Sequence, residues 1–227
     1  MNSDPRLVEV RKNVFKQNDL VARGLRQQFQ SAGVFVASLV SSPGSGKTAF
    51  LERLLTQLMP QYRVAALVGD LATENDAVRL SRSGAPVRQI TTGTLCHLEA
   101  SMVQSALAGW DLRELDFLFV ENVGNLVCPS SYDLGENLRL VLSSTTEGED
   151  KPLKYPTIYN SSDLALITKM DLAAAVEFDE AAALRNIQAV RPGMRVFKVS
   201  SKTGSGMTEF ADYICSRLVE SRAASAV

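Results

Sequence analysis

The stretch SSPGSGKT (41–48) joins an apolar run, VFVASLVSS (34–42), to a segment with apolar residues at helical spacing, KTAFLERLLTQLM (47–59). Its final Gly-Lys-Thr matches the phosphate-loop pattern G-x-x-x-x-G-K-[ST], with Ser41 at the first glycine position. Glycines let the backbone turn its amides inward, and a helix start adds partial positive charge for a phosphate. A glycine-rich turn without a ligand is the alternative, but the strand–loop–helix context favours a nucleotide site. The predicted contacts are Pro43, Gly44, Ser45, Gly46, Lys47, Thr48 and Ala49.

Short apolar runs alternate with helical segments along the rest of the chain. The predicted strands cover 34–42, 62–70, 86–92, 115–122, 138–145, 163–169 and 195–201. The predicted helices cover 5–30, 47–59, 75–84, 97–109, 178–190 and 205–220. Strands that are apolar on both faces belong in a parallel sheet covered by helices. We therefore expect an α/β fold, a mostly parallel doubly wound sheet of the P-loop NTPase type, with an exposed insertion at 147–156.

A bound nucleotide needs groups for its phosphates and for Mg²⁺. Lys47 can reach the β- and γ-phosphates, and the Thr48 hydroxyl can bind Mg²⁺. Asp70 and Glu121 each end a predicted strand, at the sheet edge where doubly wound folds bind ligands. A solvated strand-end carboxylate is the ordinary alternative for each. We predict Lys47, Thr48, Asp70 and Glu121 as catalytic residues, the last three of them as Mg²⁺ ligands.

The segment ENVGN (121–125) follows the strand that ends in Glu121. The backbone amide of Gly124 could contact the γ-phosphate, so that the segment would change state when the nucleotide is hydrolysed. No general base is evident in the sequence. We therefore expect hydrolysis to rely on positioning of the phosphates and to be slow.

The base is predicted from TKMD (168–171), which follows a buried strand and matches the guanine-reading pattern [NT]-K-x-D. The carboxylate of Asp171 can accept hydrogen bonds from the ring N–H and the exocyclic amine of guanine, a combination that adenine lacks. The stem of Lys169 can pack on the base, and Thr168 keeps part of the bonding capacity of asparagine. A second loop, VSSKTG (199–204), resembles a motif that contacts the guanine carbonyl. These loops favour GTP over ATP and add Ser200, Ser201 and Lys202 to the predicted contacts.

Cys96, His97 and Cys128 form a candidate metal site. Cys96–His97 follows one predicted strand and Cys128 follows another, and parallel strands end at the same edge of a sheet. Two thiolates and an imidazole suit Zn²⁺ or Ni²⁺, with one coordination position left open. The alternative is that the cysteines are small buried apolar groups and the histidine caps a helix. Cys215 has no ligand partner nearby in the sequence and is expected to pack in the core.

Composition narrows the classes of function. The chain has 227 residues, of which 45% are hydrophobic, enough for one large domain. The net charge of −1 gives no indication of binding to nucleic acid or a membrane surface. Three cysteines at separate places do not form a disulfide framework. We expect a soluble cytoplasmic protein, with an N-terminal helical lead-in at 1–30 and a single P-loop GTPase domain at 31–227.

Several blocks resemble the hydrogenase nickel-incorporation GTPases of the HypB family. They are SSPGSGKT, GDLATENDAVRL, TGTLCHLEASMV, ENVGNLVCPSSYDLGE and DKPLKYP. The resemblance spans about residues 30–220, and Ser41 is normal for that family. Its relatives are UreG and the cobalamin-enzyme chaperone GTPases, all P-loop proteins of the SIMIBI class. Many HypB proteins carry an N-terminal cysteine motif or histidine-rich tract, which MNSDPRLVEV lacks, so the expected metal site is that of Cys96, His97 and Cys128.

The resemblance implies a nickel metallochaperone with slow GTPase activity. It would bind Ni²⁺, with Zn²⁺ as a possible substitute, and form a nucleotide- or metal-promoted homodimer. It would deliver nickel to the large subunit of [NiFe]-hydrogenase together with a HypA-type nickel chaperone. The alternatives are a GTPase chaperone for a urease- or cobalamin-type enzyme, a GTP-gated metal switch with no catalytic role, and an ATPase.

Overall fold

The computed structural model describes residues 5–71 and 75–225, with residues 5–12 described as backbone only. The strands within these ranges form one sheet. They are β1 (Phe35–Ser41), β2 (Val64–Asp70), β3 (Val87–Thr91), β4 (Phe117–Glu121), β5 (Leu138–Ser144), β6 (Leu164–Thr168) and β7 (Arg195–Lys198). Their order across the sheet is β3-β2-β4-β1-β5-β6-β7, and every neighbouring pair is parallel. The α/β fold with a parallel sheet is therefore confirmed.

Helices cover both faces of this sheet. They are α1 (Pro5–Ala32), α2 (Lys47–Leu58), α3 (Asn75–Ser81), α4 (Ala100–Ala106), α5 (Lys151–Lys154), α6 (Pro156–Asn160), α7 (Glu180–Val190) and α8 (Met207–Ser225). On one face α2 packs against α8, where the rings of Phe50 and Phe210 lie 5.2 Å apart. On the other face Leu25 and Phe29 of α1 share a core with Val103 of α4. All seven residues of β1 are buried, as expected for the centre of a parallel sheet.

Two local predictions need correction. The helix predicted from residue 97 begins at Ala100, so Cys96 and His97 lie in a loop before it. This loop is held by its own contacts, because Thr92 donates a hydrogen bond to the Leu95 carbonyl and the His97 side chain is buried. The composition of 147–156 predicts an exposed insertion, but the segment contains the short helix α5 and the first residue of α6. Pro152 and Pro156 lie in the first turns of α5 and α6, where the fixed φ of proline suits a helix start, and Pro152 is also buried.

The topology sets the position of the predicted site. β1 pairs with β4 on one side and β5 on the other, so the carboxyl ends of the central strands meet at one edge. Residues at this edge include Ser41 of β1, Glu121 of β4 and Asp70 of β2. Doubly wound sheets bind ligands at such an edge. Within the described ranges, no helix is both long enough and apolar enough to cross a membrane.

Candidate functional site

The loop between β1 and α2 has the backbone of a phosphate cradle. Gly44 has φ of 77° and Gly46, which precedes α2, has φ of 91°, a left-handed conformation that strains any residue with a side chain. Lys47 is the first residue of α2, so its ammonium joins the positive end of the helix. A cavity of about 550 Å³ lies over this loop and has the volume for a polyphosphate. All of the residues predicted from the phosphate loop line it: Pro43, Gly44, Ser45, Gly46, Lys47, Thr48 and Ala49.

Glu121 joins the cavity to the end of β4. Thr48 donates a 2.7 Å hydrogen bond to Glu121 Oε1, and Lys47 Nζ lies 3.8 Å from the same oxygen. Glu121 is 1% exposed, and its Oε2 has no hydrogen-bond partner among the described residues. Burial raises the pKa of this carboxyl, while Lys47 and Thr48 oppose the rise. A buried oxygen without a partner beside a threonine hydroxyl fits a Mg²⁺ site.

Asp70 lines the same cavity from the end of β2, where its Oδ1 accepts a hydrogen bond from the Leu71 amide. Asp76 and Arg79 of α3 also line this cavity, although the sequence analysis does not predict them as site residues. These two residues are three positions apart, so their side chains lie on the same face of a helix that follows the strand ending in Asp70. That spacing is the sequence feature that could have identified them. Arg79 also forms a 2.8 Å ion pair with Glu52 of α2.

The predicted switch segment lies against the phosphate loop. A Cβ added to Gly124 would lie 3.1 Å from the backbone of Pro43, so only glycine fits there without displacing a neighbour. Gly124 and Val123 both line the phosphate cavity. The segment is thus in contact with the loop that would hold the γ-phosphate.

The predicted base-reading loops are tied to the phosphate loop and to each other. Thr168 donates a 2.5 Å hydrogen bond to the Ser45 carbonyl, and Lys169 Nζ donates one of 2.7 Å to the Gly44 carbonyl. Ser200 donates a 2.6 Å hydrogen bond to Asp171 Oδ1, which joins the two loops. Thr168 is buried and its hydroxyl is bonded to the phosphate loop, whereas the side chain of Asp171 is exposed. Ser201 and Lys202 line a second cavity, of about 720 Å³, that shares Ala49 and Arg79 with the first.

The structure brings Cys96, His97 and Cys128 together. One ligand atom from each lies within 4.8 Å of the others, and the two Sγ atoms are 2.9 Å apart. His97 is 7% exposed, and neither ring nitrogen has a hydrogen-bond partner among the described residues; Glu99 Oε1 lies 3.6 Å from Nε2. Burial lowers the pKa of His97, which favours the neutral imidazole that binds metals. Buried unpartnered nitrogens beside two thiols fit a soft divalent cation.

Cys215 lies apart from this cluster. It lies in α8 and packs, as Tyr62 does, against the core between α2 and α8. Burial raises the pKa of its thiol, and the nearby Tyr62 side chain partly offsets the rise. This location agrees with the expectation that Cys215 is a packing residue.

Two asparagines connect the end of β4 to the metal-site loop, and sequence reasoning missed both. Asn122 Oδ1 accepts hydrogen bonds from the amides of Leu98 (3.0 Å) and Val123 (2.9 Å). Asn125 Nδ2 donates a 3.2 Å hydrogen bond to the Cys96 carbonyl. Asn122 directly follows Glu121 in the chain. One peptide bond therefore separates the residue that contacts Lys47 and Thr48 from the residue that contacts the metal-site loop.

Comparison with known proteins identifies the family. A model described as "CobW/HypB/UreG, nucleotide-binding domain" matches residues 35–198. The hydrogenase maturation factor HypB of Azotobacter vinelandii is 43% identical over 93% of this chain and 70% of its own length. The chain belongs to the CobW/HypB/UreG family.

Two further similar proteins are also HypB proteins. The hydrogenase/urease maturation factor HypB of Helicobacter hepaticus is 40% identical over 94% of this chain and 89% of its own length. The crystal structure of HypB from Helicobacter pylori in complex with nickel superposes with a TM-score of 0.85 at 39% identity, covering 90% of this chain and 96% of that one. The resemblance read from the sequence motifs is therefore confirmed.

Proposed function

We propose that this chain is a GTP-hydrolysing nickel metallochaperone that inserts nickel into the large subunit of [NiFe]-hydrogenase during its maturation. The observation that carries the proposal is the short connection between the phosphate cavity and a Cys–His–Cys cluster, through residues 121–125. Membership of the CobW/HypB/UreG family and the nickel bound by the similar Helicobacter pylori HypB support it.

Nickel is the cargo and not a resident cofactor in this proposal. Cys96, His97 and Cys128 supply two thiolates and one imidazole, which leaves a coordination position open. An open position lets an acceptor ligand attach before the donor ligands leave, which suits transfer. Zn²⁺ prefers the same ligand types and would substitute in vitro.

GTP and Mg²⁺ would occupy the cavity over the phosphate loop. Lys47 would neutralise the β- and γ-phosphates, and Thr48 and Glu121 would hold Mg²⁺, with Asp70 nearby at the strand end. Mg²⁺ supplies charge neutralisation of the phosphates when bound. We expect hydrolysis to depend on positioning of the phosphates by these residues and to be slow.

Specificity for guanine would come from Asp171, with contacts from Ser200, Ser201 and Lys202. The carboxylate is already oriented by its hydrogen bond from Ser200. Lys169 would pack along the base while its ammonium holds the Gly44 carbonyl, so base binding and the phosphate loop would be linked.

Coupling between nucleotide and metal follows from the contacts of the switch segment. Loss of the γ-phosphate would remove its contact with the Gly124 amide, so that residues 121–125 could move relative to Pro43. Movement of residues 121–125 would displace the side chains of Asn125 and Asn122, which are hydrogen-bonded to the Cys96 carbonyl and the Leu98 amide. The Cys96–His97 loop would then change position. Allosteric coupling of about 1–3 kcal/mol, a typical value, changes a binding constant by about 5- to 150-fold.

The partners and location belong to the same proposal. We infer a homodimer promoted by nucleotide or metal, a HypA-type nickel chaperone that loads the site, and the hydrogenase large subunit as acceptor, all in the cytoplasm. A test is nickel transfer from the loaded protein to the apo large-subunit precursor, measured as bound nickel with GTP and with a non-hydrolysable analogue. Transfer that needs neither GTP nor Lys47 would argue against a GTP-driven chaperone.

The metal site itself has a matched control within the chain. Cys128→Ala removes a proposed ligand, and Cys215→Ala removes a thiol that lies outside the cluster. We expect nickel affinity and the thiolate-to-nickel absorption to fall in the first variant and to be unchanged in the second. Equal nickel binding by both variants would contradict the proposed site.

A second candidate function has one observation in its favour. A similar relative, from Helicobacter hepaticus, is a hydrogenase/urease maturation factor, so a GTPase chaperone serving a urease-type enzyme is the alternative. Supplying each apo-enzyme separately with the nickel-loaded protein would distinguish the acceptors. A third possibility, a GTP-gated metal switch without catalytic role, predicts full transfer with the non-hydrolysable analogue.

A further inference from the structure

Asn18 of α1 lies between the two segments that carry the proposed nickel ligands. Its side-chain Nδ2 donates a 2.8 Å hydrogen bond to the Asp133 carbonyl, and its Oδ1 accepts one of 2.9 Å from the Ala100 amide. The residue is 6% exposed, so both bonds are shielded from water. Both ends of one amide are thus used to join positions that are far apart in sequence.

The partners of Asn18 follow the ligands closely in the chain. Ala100 comes three residues after His97 and begins α4, and Asp133 comes five residues after Cys128. The first amides of a helix lack partners within the helix. Glu99, at the N-cap of α4, makes no side-chain capping bond. Asn18 therefore acts as the cap of α4 from another helix, which fixes where the Cys96–His97 loop ends.

Other contacts from α1 reach the same two segments. The rings of Phe15 and Tyr132 lie 5.3 Å apart, and Tyr132 lies against the ring of His97 at 4.0 Å. Arg26 donates hydrogen bonds of 2.7 and 2.8 Å to the two carboxylate oxygens of Asp133. Among these contacts, Asn18 joins both segments directly through hydrogen bonds.

We propose that Asn18 is a positioning residue for the metal site, which sets the separation between the Cys96–His97 loop and the Cys128 loop. This inference rests on the proposed function, because it assumes that these residues bind nickel. It assigns α1 a role distinct from that of the switch segment. Asn122 and Asn125 hold the Cys96–His97 loop from the end of β4, and Asn18 holds the end of that loop from α1.

The physical basis is the effect of outer contacts on metal ligands. Residues that orient the ligands typically change metal affinity by about 10- to 100-fold when they are replaced. If Asn18 sets the separation of the two loops, its loss lets the thiols and the imidazole sample positions that do not converge on one ion. Nickel affinity would then fall, while the phosphate cavity, which Asn18 does not contact, would be unaffected.

Two variants separate the two hydrogen bonds. Asn18→Leu has a similar volume and removes both, whereas Asn18→Asp keeps an acceptor for the Ala100 amide and loses the donor to the Asp133 carbonyl. Gln17→Leu, on an exposed position of the same helix, is the matched control. Nickel affinity and the thiolate-to-nickel absorption spectrum are measured with GDP bound, and affinity for a fluorescent GDP is measured separately.

We expect Asn18→Leu to lower nickel affinity by about 10- to 100-fold and to shift the charge-transfer band. Asn18→Asp should lie between that variant and the wild type, and GDP affinity should stay within about twofold throughout. Nickel affinity of folded Asn18→Leu and Asn18→Asp equal to that of Gln17→Leu would overturn the inference and leave the proposed function intact. A parallel fall in GDP affinity would also overturn it, because it would indicate general destabilisation. Absence of nickel binding in the wild type would overturn both.

Discussion

Replacing Asn122 with alanine tests whether the nucleotide and metal sites communicate through the end of β4. Asn122 is 2% exposed, and its Oδ1 accepts two backbone hydrogen bonds, from Leu98 and Val123. Each buried amide left without an acceptor costs about 1–3 kcal/mol, so the variant should lose about 2–6 kcal/mol of unfolding free energy. At about 2–4 °C per kcal/mol for a chain of this size, the melting temperature should fall by roughly 4–24 °C.

The functional consequence differs from the loss of stability. Without Asn122 the Leu98 amide is no longer tied to β4, so the Cys96–His97 loop should not respond to the nucleotide. We expect the ratio of nickel affinities with GDP and with a non-hydrolysable GTP analogue to approach one. The assay is a competition titration with a coloured nickel chelator at a temperature where the variant is folded.

A matched control exists on the opposite side of the sheet centre. Asn137 Oδ1 accepts one backbone hydrogen bond, of 2.8 Å from the Val36 amide, before β5. Asn137→Ala should cost about half as much stability and leave the affinity ratio unchanged. If Asn122→Ala loses the expected stability but keeps the wild-type ratio, then Asn122 is structural only and the proposed route of coupling is wrong.

Three further predictions concern the nucleotide site and the stability of the fold. Glu121→Gln should lower affinity for Mg²⁺·GTP by about 10- to 100-fold in a fluorescence titration with and without Mg²⁺, since a charged ligand contributes about 1.5–3 kcal/mol. The apo protein should also lose stability, because the buried Lys47 ammonium loses its charged partner. Asp171→Asn should weaken GTP binding at least about 10-fold and improve binding of xanthosine triphosphate, whose ring has a carbonyl where guanine has the amine; competition between the two nucleotides measures this. Burial raises the pKa of Asp116, but hydrogen bonds from Arg63 and Arg222 outweigh it and hold that pKa well below its usual range. The stabilisation that results is present above about pH 4 and is lost as the pH falls towards the lower pKa of the folded state. Asp116→Asn should therefore lower the free energy of unfolding, measured in urea, by about 1–3 kcal/mol at pH 7 and by progressively less below pH 4.

The sheet and the phosphate loop could be predicted because their signals are local. Apolar runs such as VFVASLVSS and the Gly-Lys-Thr of the loop constrain the backbone whatever lies around them. The convergence of Cys96, His97 and Cys128 could also be predicted, since it needs only the rule that parallel strands end at one edge. The structure brings these three together as that rule requires.

The contacts that link the sites could not be predicted in the same way. Asn18, Asn122 and Asn125 act by side-chain bonds to backbone groups on other elements, and single asparagines carry no periodic pattern. The start of α4 was misplaced for the same reason, because its cap comes from α1 and not from the adjoining residues. The charged residues and prolines of 147–156 indicate an exposed loop by composition alone, but the same prolines also fit the first turns of α5 and α6, and Pro152 is buried.

The most direct test of the account is a nickel titration of the reduced wild-type protein, first with GDP and then with a non-hydrolysable GTP analogue, followed by thiolate-to-nickel absorption. The account predicts binding in both states through Cys96, His97 and Cys128, with affinities that differ by about 5- to 150-fold. Equal affinities in the two nucleotide states would contradict the coupling between the phosphate cavity and the metal cluster. Absence of binding in both would contradict the nickel site itself.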